Sequence, residues 1–255
     1  MSSILTQLIS TLPGGAVQEI RIGAFWTAVV VEVEGERRCG LASSLRGFDN
    51  HHHGGGPAVR QAGQLLAQTA TELVQLAHSP SLMEASLGMA TINALVPLQP
   101  ERWTDLIAEE VIARYGAGKQ VALIGHFPFI PRLQEQVGIL WVLEQEPRGD
   151  DLPAHAAADI LPQADVVAIT GTTLINHTFE QLMALRKAGA IVLLLGPTTP
   201  LTPLLFDYGV HLLSGAVVED IEAVLRAVSQ GANFRQLHRQ GVRLVTMAQS
   251  DRLLL

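Results

Sequence analysis

Three side chains that could bind a metal follow two neighbouring apolar segments of the chain. His126 comes directly after VALIG, Glu144 ends ILWVLE, and Asp150 lies in the polar loop behind it. A histidine nitrogen with carboxylate oxygens suits zinc, nickel, iron or manganese better than softer ions. The candidate cofactor is therefore a divalent transition metal, with His177 as a fourth ligand to consider. The alternative is a histidine bonded to backbone and carboxylates that are simply solvated.

Polar turns rich in hydroxyl groups follow the next two apolar segments, VVAIT and IVLLLG. They contain Thr170, Gly171, Thr172, Thr173 and Asn176 after the first segment, and Gly196, Pro197 and Thr198 after the second. We expect a helix to begin at the first turn, with Asn176 and His177 in its first helical turn. Backbone N–H groups and hydroxyls at a helix N-terminus attract an anion, which favours contact with a ligand. Alternatively, a threonine here only caps the helix.

Glu144 has a second interpretation, because it ends a strand nineteen residues after Gly125. A carboxylate at that place in a dinucleotide-binding domain accepts hydrogen bonds from ribose hydroxyls. However, such a domain carries three spaced glycines after its first strand, and here Gly125 stands alone. The sequence therefore disfavours NAD or FAD bound in the usual manner. It leaves open a transferase- or lyase-type enzyme that acts on a nucleotide-like or cofactor-precursor molecule.

Other reactive residues give weaker signals. The chain has no G-x-S-x-G motif, and Cys39 has no neighbouring histidine, so no hydrolase mechanism is assigned. His51, His52 and His53 are consecutive and stand beside three glycines. In an extended segment alternate side chains point to opposite sides, so at most two of the three could share an ion. We expect these histidines to lie in an exposed loop.

The elements that must position these residues change character near residue 100. Before it, the pattern predicts an antiparallel meander between a short first helix and two later helices. The predicted elements are a helix to Leu12, strands Val17–Ile22, Trp26–Val33 and Arg37–Leu41, and helices Val59–Leu76 and Leu82–Leu95. Pro97 and Pro100 then mark a domain boundary.

After residue 100 the sequence alternates between helices and short buried strands. A helix is predicted from Trp103 to Tyr115, followed by five apolar strands and an edge strand over Val242–Met247. Strands separated by helices form right-handed βαβ units, which collect the loops after the strands along one edge of a parallel sheet. The expected fold is α/β with two domains: a small α+β domain at 1–100 and a Rossmann-like domain at 101–255.

Composition excludes several classes of protein. The formal net charge is −7 and the pI about 5.7, with scattered Lys and Arg, so nucleic acid is not an expected partner. One cysteine rules out an internal disulfide and fits a reducing cytoplasm. No apolar run approaches the roughly 18 residues of a membrane-spanning helix, so no membrane partner is expected. A homo-oligomer is compatible with the sequence.

Several segments in the same order resemble a bacterial and archaeal family of "putative heavy-metal chelation" proteins. They are SLGMATINA, GHFP, the strand-ending glutamate with EPRGD, ADVVAITGTTLINHT and LLLGPTTPL, and the likeness covers nearly the whole chain. The resemblance implies an N-terminal domain similar to that of enolase, a Rossmann-like C-terminal domain, and a site in the cleft between them.

Carried over by position, the resemblance implies a set of residues at that cleft. They are His126, Pro128, Glu144, Asp150, Thr170, Gly171, Thr172, Thr173, Asn176, Gly196, Pro197 and Thr198, with Asn93 approaching from the N-terminal domain. The histidine trio is outside the family pattern, and a lone cysteine argues against metal capture by several thiolates. The leading expectation is a protein that binds a small anionic or metal-complexed ligand.

Overall fold

The computed structural model describes residues 3–46, 57–250 and 253. Within them, a small antiparallel sheet of three strands precedes a larger, mostly parallel sheet of eight strands. Helices cover both sheets. The predicted two-domain α/β fold class is confirmed. The division at residue 100 stays a prediction.

The N-terminal region is a meander with helices packed on it. Its elements are α1 (Ile4–Ser10), β1 (Ala16–Ile22), β2 (Trp26–Val33), β3 (Glu36–Ser43), α2 (Ala70–Gln75) and α3 (Leu82–Leu95). Helix α3 lies so close to β3 that only glycine fits at position 40, because a Cβ there would be 2.1 Å from the Ala90 carbonyl oxygen. The predicted meander and the helix Leu82–Leu95 are thus present.

The predicted helix Val59–Leu76 is wrong over its first half. An α-helix begins only at Ala70, and before it Leu65–Ala67 form one short 3₁₀ turn. Thr69 begins it with a capping box, in which its side chain accepts from the Glu72 N–H and the Glu72 carboxylate accepts from the Thr69 N–H. Gly63, with a φ of 87°, interrupts the chain before that point. Apolar spacing had suggested one helix where local capping starts a shorter one.

The C-terminal region carries the strands that form the large sheet. Its strands are β4 (Trp103–Thr104), β5 (Gln120–Ile124), β6 (Ile139–Glu144), β7 (Leu152–Pro153), β8 (Val166–Thr170), β9 (Ile191–Leu195), β10 (Leu212–Val218) and β11 (Val242–Ala248). Its helices are α4 (Ala108–Gly116), α5 (Ile130–Gln134), α6 (Ala157–Ile160), α7 (Phe179–Leu185), α8 (Ile221–Ser229) and α9 (Phe234–His238). The five predicted apolar strands are all present.

The order of the parallel strands creates a crevice. Strands β7-β6-β5-β8-β9-β10 are neighbours in that order, which is the 3-2-1-4-5-6 order of a Rossmann fold. The chain leaves β5 toward β6 on one side, whereas it leaves β8 toward β9 on the other. Loops that diverge at such a switch point leave a crevice at the carboxyl edge, where ligands bind in open α/β sheets.

Two predictions at the far side of the sheet are wrong. The segment from Trp103 does not start a helix, because Trp103 and Thr104 pair with β11 and α4 begins only at Ala108. Strand β11 therefore lies between β10 and β4 instead of at the edge. A two-residue strand is too short to show a period of two in the sequence.

The two regions share an apolar contact. Helix α8 places Val224 and Val228 against Ala28 and Val30 of β2. The small sheet is thus covered by α3 on one face and α8 on the other, which explains why Ala28 to Val31 are all buried. Within the described residues, no helix is both long and apolar enough to cross a membrane.

Candidate functional site

A cavity of about 1250 Å³ opens at the carboxyl edge of the large sheet, and we call it the cleft. Residues of the loops after β5, β8 and β9 line it, together with Trp26, Ser43 and Leu45 of the N-terminal region. The predicted residues that line it are His126, Pro128, Glu144, Thr170, Thr172, Thr173, Asn176, Gly196, Pro197 and Thr198. The switch-point crevice therefore brings together polar residues from the carboxyl ends of four strands, β5, β6, β8 and β9.

Three residues from the predicted set lie outside the lining. Asp150 is exposed in the loop after β6. Gly171 packs against the next loop, because a Cβ there would lie 2.8 Å from the Thr199 nitrogen and hydroxyl. Asn93 lies behind the cleft and donates to the carbonyl oxygens of Leu41 and Thr198, at 2.8 and 3.1 Å.

His126 contacts Asp151, the residue that follows the predicted Asp150. Its Nδ1 donates to Asp151 Oδ2 at 2.8 Å, and the same oxygen accepts from the Arg148 N–H at 3.1 Å. The Asp151 side chain is 5% exposed, whereas the His126 side chain is 39% exposed. This bond fixes the tautomer and leaves Nε2 without a protein partner among the described residues. Asp151, not Asp150, is the carboxylate that contacts the histidine.

Glu144 holds the turn that carries His126. One carboxylate oxygen accepts from the His126 N–H at 2.9 Å, and the other accepts from the Gln145 N–H at 2.8 Å. Gly125, just before the histidine, has a φ of 104°, which a residue with a side chain rarely adopts. The carboxylate thus shapes the loop after β5 while lining the cleft.

The predicted metal trio His126, Glu144 and Asp150 is not assembled as a ready-made site. In the part of the chain that the structure describes, no three His, Cys, Asp or Glu side chains form a group that could hold a metal ion. The physical reason is that Glu144 faces two backbone N–H groups while Asp150 is exposed in its loop. His51, His52 and His53 lie outside the described residues.

The turn after β8 is not the start of an α-helix. Residues 171–174 form a 3₁₀ turn, and α7 begins only at Phe179, so Asn176 and His177 lie between the two. Thr170 caps the turn, with its hydroxyl 3.0 Å from that of Thr172. Asn176 Oδ1 accepts from the Thr178 hydroxyl at 2.7 Å. The threonine hydroxyls belong to residues that line the cleft, whereas the predicted helix N-terminus is absent at this turn.

His177 is directed away from the proposed ligand set. Its φ is 59°, and its Nε2 lies 2.8 Å from the Ala77 carbonyl oxygen. It lines a separate, smaller cavity of about 190 Å³ that includes His78 and Glu180. The left-handed backbone turns the side chain out of the helical direction that the sequence suggested, so His177 is not a fourth ligand beside His126.

Thr198 links the cleft to the N-terminal region. Its hydroxyl accepts from the Ser43 N–H at 3.0 Å and donates to the Ser43 hydroxyl at 3.3 Å. Asn93 holds the Thr198 carbonyl from below. Ser43 was not predicted, because nothing in the sequence at the end of β3 indicates that it meets a loop 155 residues away.

Sequence reasoning also missed an aromatic surface in the cleft, which we call the ring wall: Trp26, Phe234 and His238. The Trp26 and Phe234 ring centroids are 5.5 Å apart, and those of Phe234 and His238 are 6.2 Å apart. Arg235, on the same helix α9, also lines the cleft. Trp26 and Phe234 are 208 positions apart, so no local pattern joins them.

Cys39 is not a nucleophile of this site. It does not line the cleft. Burial raises the pKa of its thiol to about 12, so the reactive thiolate is scarce at neutral pH.

Family comparisons cover most of the chain. A sequence model of the DUF364 family, described as "Putative heavy-metal chelation", matches residues 108–247. A model of the DUF4213 family, with the same description, matches residues 5–96. An uncharacterized protein of Methanocaldococcus jannaschii is 25% identical over 207 residues, which are 78% of each chain.

Solved structures share the fold over nearly the full length. A DUF364-family protein of unknown function from Desulfitobacterium hafniense DCB-2 is 27% identical with a TM-score of 0.81, covering 96% of this chain and 97% of its own. Another from Pyrococcus horikoshii is 21% identical with a TM-score of 0.81, covering 96% and 98%, and shows the fold alone. The resemblance drawn from the sequence motifs is confirmed.

Proposed function

Since this chain belongs to the DUF364 family, which is described as "Putative heavy-metal chelation", we propose that its cleft binds a small molecule together with a divalent transition metal. His126 Nε2 supplies the protein's nitrogen ligand to that metal. The metal is cargo delivered with, or to, the small molecule. The observation that carries the proposal is the bond of His126 Nδ1 to the buried Asp151 carboxylate.

That bond is the arrangement commonly found behind metal-binding histidines. A carboxylate that accepts the second ring N–H fixes the tautomer, orients the ring and makes the other nitrogen a better donor to a metal. Glu144 keeps the loop in place through the His126 backbone N–H. One imidazole from the protein leaves the other coordination positions to the small molecule or to water.

The remaining predicted residues are assigned to the small molecule. Hydroxyl and amide groups that line the cleft come from Thr170, Thr172 and Asn176. The backbone turn after the adjacent strand β9 also lines the cleft, through Gly196, Pro197 and Thr198. Asn93 holds that turn in position by donating to the Thr198 carbonyl oxygen. A polar or anionic substituent of the small molecule accepts hydrogen bonds from the Thr170 and Thr172 hydroxyls, which otherwise bond to each other.

Isothermal calorimetry with Zn²⁺ and Ni²⁺ tests the role of His126. All variants are made in a background protein that carries His51→Ser, His52→Ser and His53→Ser. These substitutions remove the consecutive histidines as a source of nonspecific metal binding. In that background we expect His126→Ala to weaken metal binding at least about tenfold, because a direct ligand is lost.

His78→Ala is the matched control, since His78 is exposed and does not line the cleft. It should leave the metal affinity unchanged. Equal metal affinity in the His126→Ala protein and its background rejects the assignment of His126. Metal binding that disappears with the serine substitutions alone places the ion elsewhere.

An enzyme acting on a nucleotide-like or cofactor-precursor molecule is the second candidate. The Rossmann strand order and the switch-point cleft favour it. Glu144, the residue placed to meet a ribose, is already bonded to two backbone N–H groups, which argues against it. Native mass spectrometry separates the candidates: a bound adenosine-containing molecule favours the enzyme, and stoichiometric metal favours the metal-binding protein.

A further inference from the structure

The ring wall has the geometry of a surface that receives a flat group. Its Trp26 and Phe234 rings come from the two regions of the chain and meet at an interplanar angle of 55°. The Phe234 and His238 rings lie closer to parallel, at 25°. All three residues line the cleft, and aromatic rings gain stability by stacking on or tilting against another ring.

His238 keeps one nitrogen available at this wall. Its Nδ1 lies 2.8 Å from the Val242 carbonyl oxygen, and a carbonyl only accepts, so Nδ1 carries the proton. This bond fixes the ring orientation. Nε2 has no protein partner within the described part of the chain, and it can hydrogen-bond to a polar edge of a flat ligand.

Arg235 adds a positive charge beside the rings. Among the described residues, the other guanidinium that lines the cleft is that of Arg132, which donates two hydrogen bonds to Glu109, of 2.7 and 2.6 Å. Arg235 has no ion pair or side-chain hydrogen bond to any residue that the structure describes. A planar guanidinium presents paired N–H groups to a carboxylate or a phosphate.

We infer that the ring wall binds a planar aromatic group, and that Arg235 pairs with an anionic substituent of the same molecule, a carboxylate or a phosphate. The inference rests on the proposed function only in taking the cleft as the ligand site; it does not require the metal. The cleft has about 1250 Å³, above the roughly 300–1,000 Å³ of ordinary small-molecule pockets. It therefore has room for a flat group at the ring wall and a polar group near His126.

Calorimetry with three naphthalene probes tests the inference: 2-naphthoate, 2-naphthyl phosphate and the neutral 2-naphthalenemethanol. We expect the wild-type protein to bind at least one anionic probe about tenfold more tightly than the neutral one. Arg235→Gln should remove that preference, and Arg235→Lys should restore part of it. Phe234→Leu should weaken all probes that bind, because it removes the stacking face while keeping apolar volume. The stronger anionic probe distinguishes a carboxylate from a phosphate ligand.

Arg226→Gln is the matched control, because Arg226 is exposed on α8 and does not line the cleft. It should leave the preference intact, and urea unfolding checks that every variant is folded. Failure of all three probes to bind overturns the inference, as does equal affinity for charged and neutral probes or an equal loss in Arg226→Gln. His126→Ala should change metal binding and leave probe binding within about twofold, so the two proposals fail independently.

Discussion

Glu84 in the N-terminal region and Asp151 beside His126 both have buried carboxylates, but the groups that donate hydrogen bonds to them differ. Glu84, 3% exposed, accepts from the backbone N–H, Nε and Nη2 of Arg60 and from the Ser79 hydroxyl. Asp151 accepts from His126 and from the Arg148 backbone. The donors around Glu84 belong to the protein framework. The donor on Asp151 is the His126 ring, whose other nitrogen has no partner among the residues that the structure describes.

Under the proposed function, the difference separates a carboxylate that stabilises the fold from one that orients a metal ligand. Burial raises the pKa of Glu84, but the hydrogen bonds from Arg60 and Ser79 outweigh it and lower the pKa to about 2. The bonds from Arg60 connect the segment before α2 to α3, so they stabilise the fold. Asp151 stabilises one orientation of the His126 ring, which leaves Nε2 as the nitrogen available to a ligand.

The largest effect in this comparison is expected from Glu84→Gln. A pKa lowered from 4.5 to about 2 corresponds to about 3 kcal/mol of unfolding free energy, which the neutral amide loses. Urea unfolding at pH 7 measures it. Metal affinity should not change. Glu222→Gln, which removes one partner of the exposed Arg37 ion pair, is the control and should change stability little.

Urea unfolding of the wild-type protein and Glu84→Gln at decreasing pH tests the same contribution further. Because the folded pKa of Glu84 is lower than its unfolded value, its contribution is fully present above pH 4.5. It is lost as the pH falls from there toward about 2. The difference in unfolding free energy between wild type and Glu84→Gln should therefore shrink steadily below pH 4.5. A difference that stays constant down to pH 3 contradicts the assigned pKa.

The comparison also shows what a sequence can predict. The parallel strands were predictable because each is a short apolar run, and parallel strands place their carboxyl ends at one edge. His126, Thr170 and Gly196 follow such runs directly, so their meeting at the cleft followed from topology.

What the sequence could not give depends on side-chain direction and on distant contacts. Asp150 and Asp151 are adjacent and identical in type, and only the turn of their loop decides which one reaches His126. The 3₁₀ turn after Thr170 needed the same three-dimensional information. The ring wall joins segments 208 positions apart, so its members carry no shared local signal.

The smallest effect is expected from Asp151→Asn. This variant tests whether Asp151 supports metal binding by His126. The amide keeps the shape but can no longer hold the imidazole as strongly, so we expect metal affinity to fall about tenfold by calorimetry in the serine background. Stability should change by only about 1 kcal/mol, less than in Glu84→Gln.

Asp150→Asn is the matched control, because it makes the same chemical change one position away on an exposed side chain. It should leave metal affinity unaltered. If Asp150→Asn weakens binding and Asp151→Asn does not, the loop presents the other carboxylate in solution and the original trio is restored. If both variants bind metal as the wild type does, His126 needs no carboxylate behind it, and burial of Asp151 is structural in the same sense as burial of Glu84.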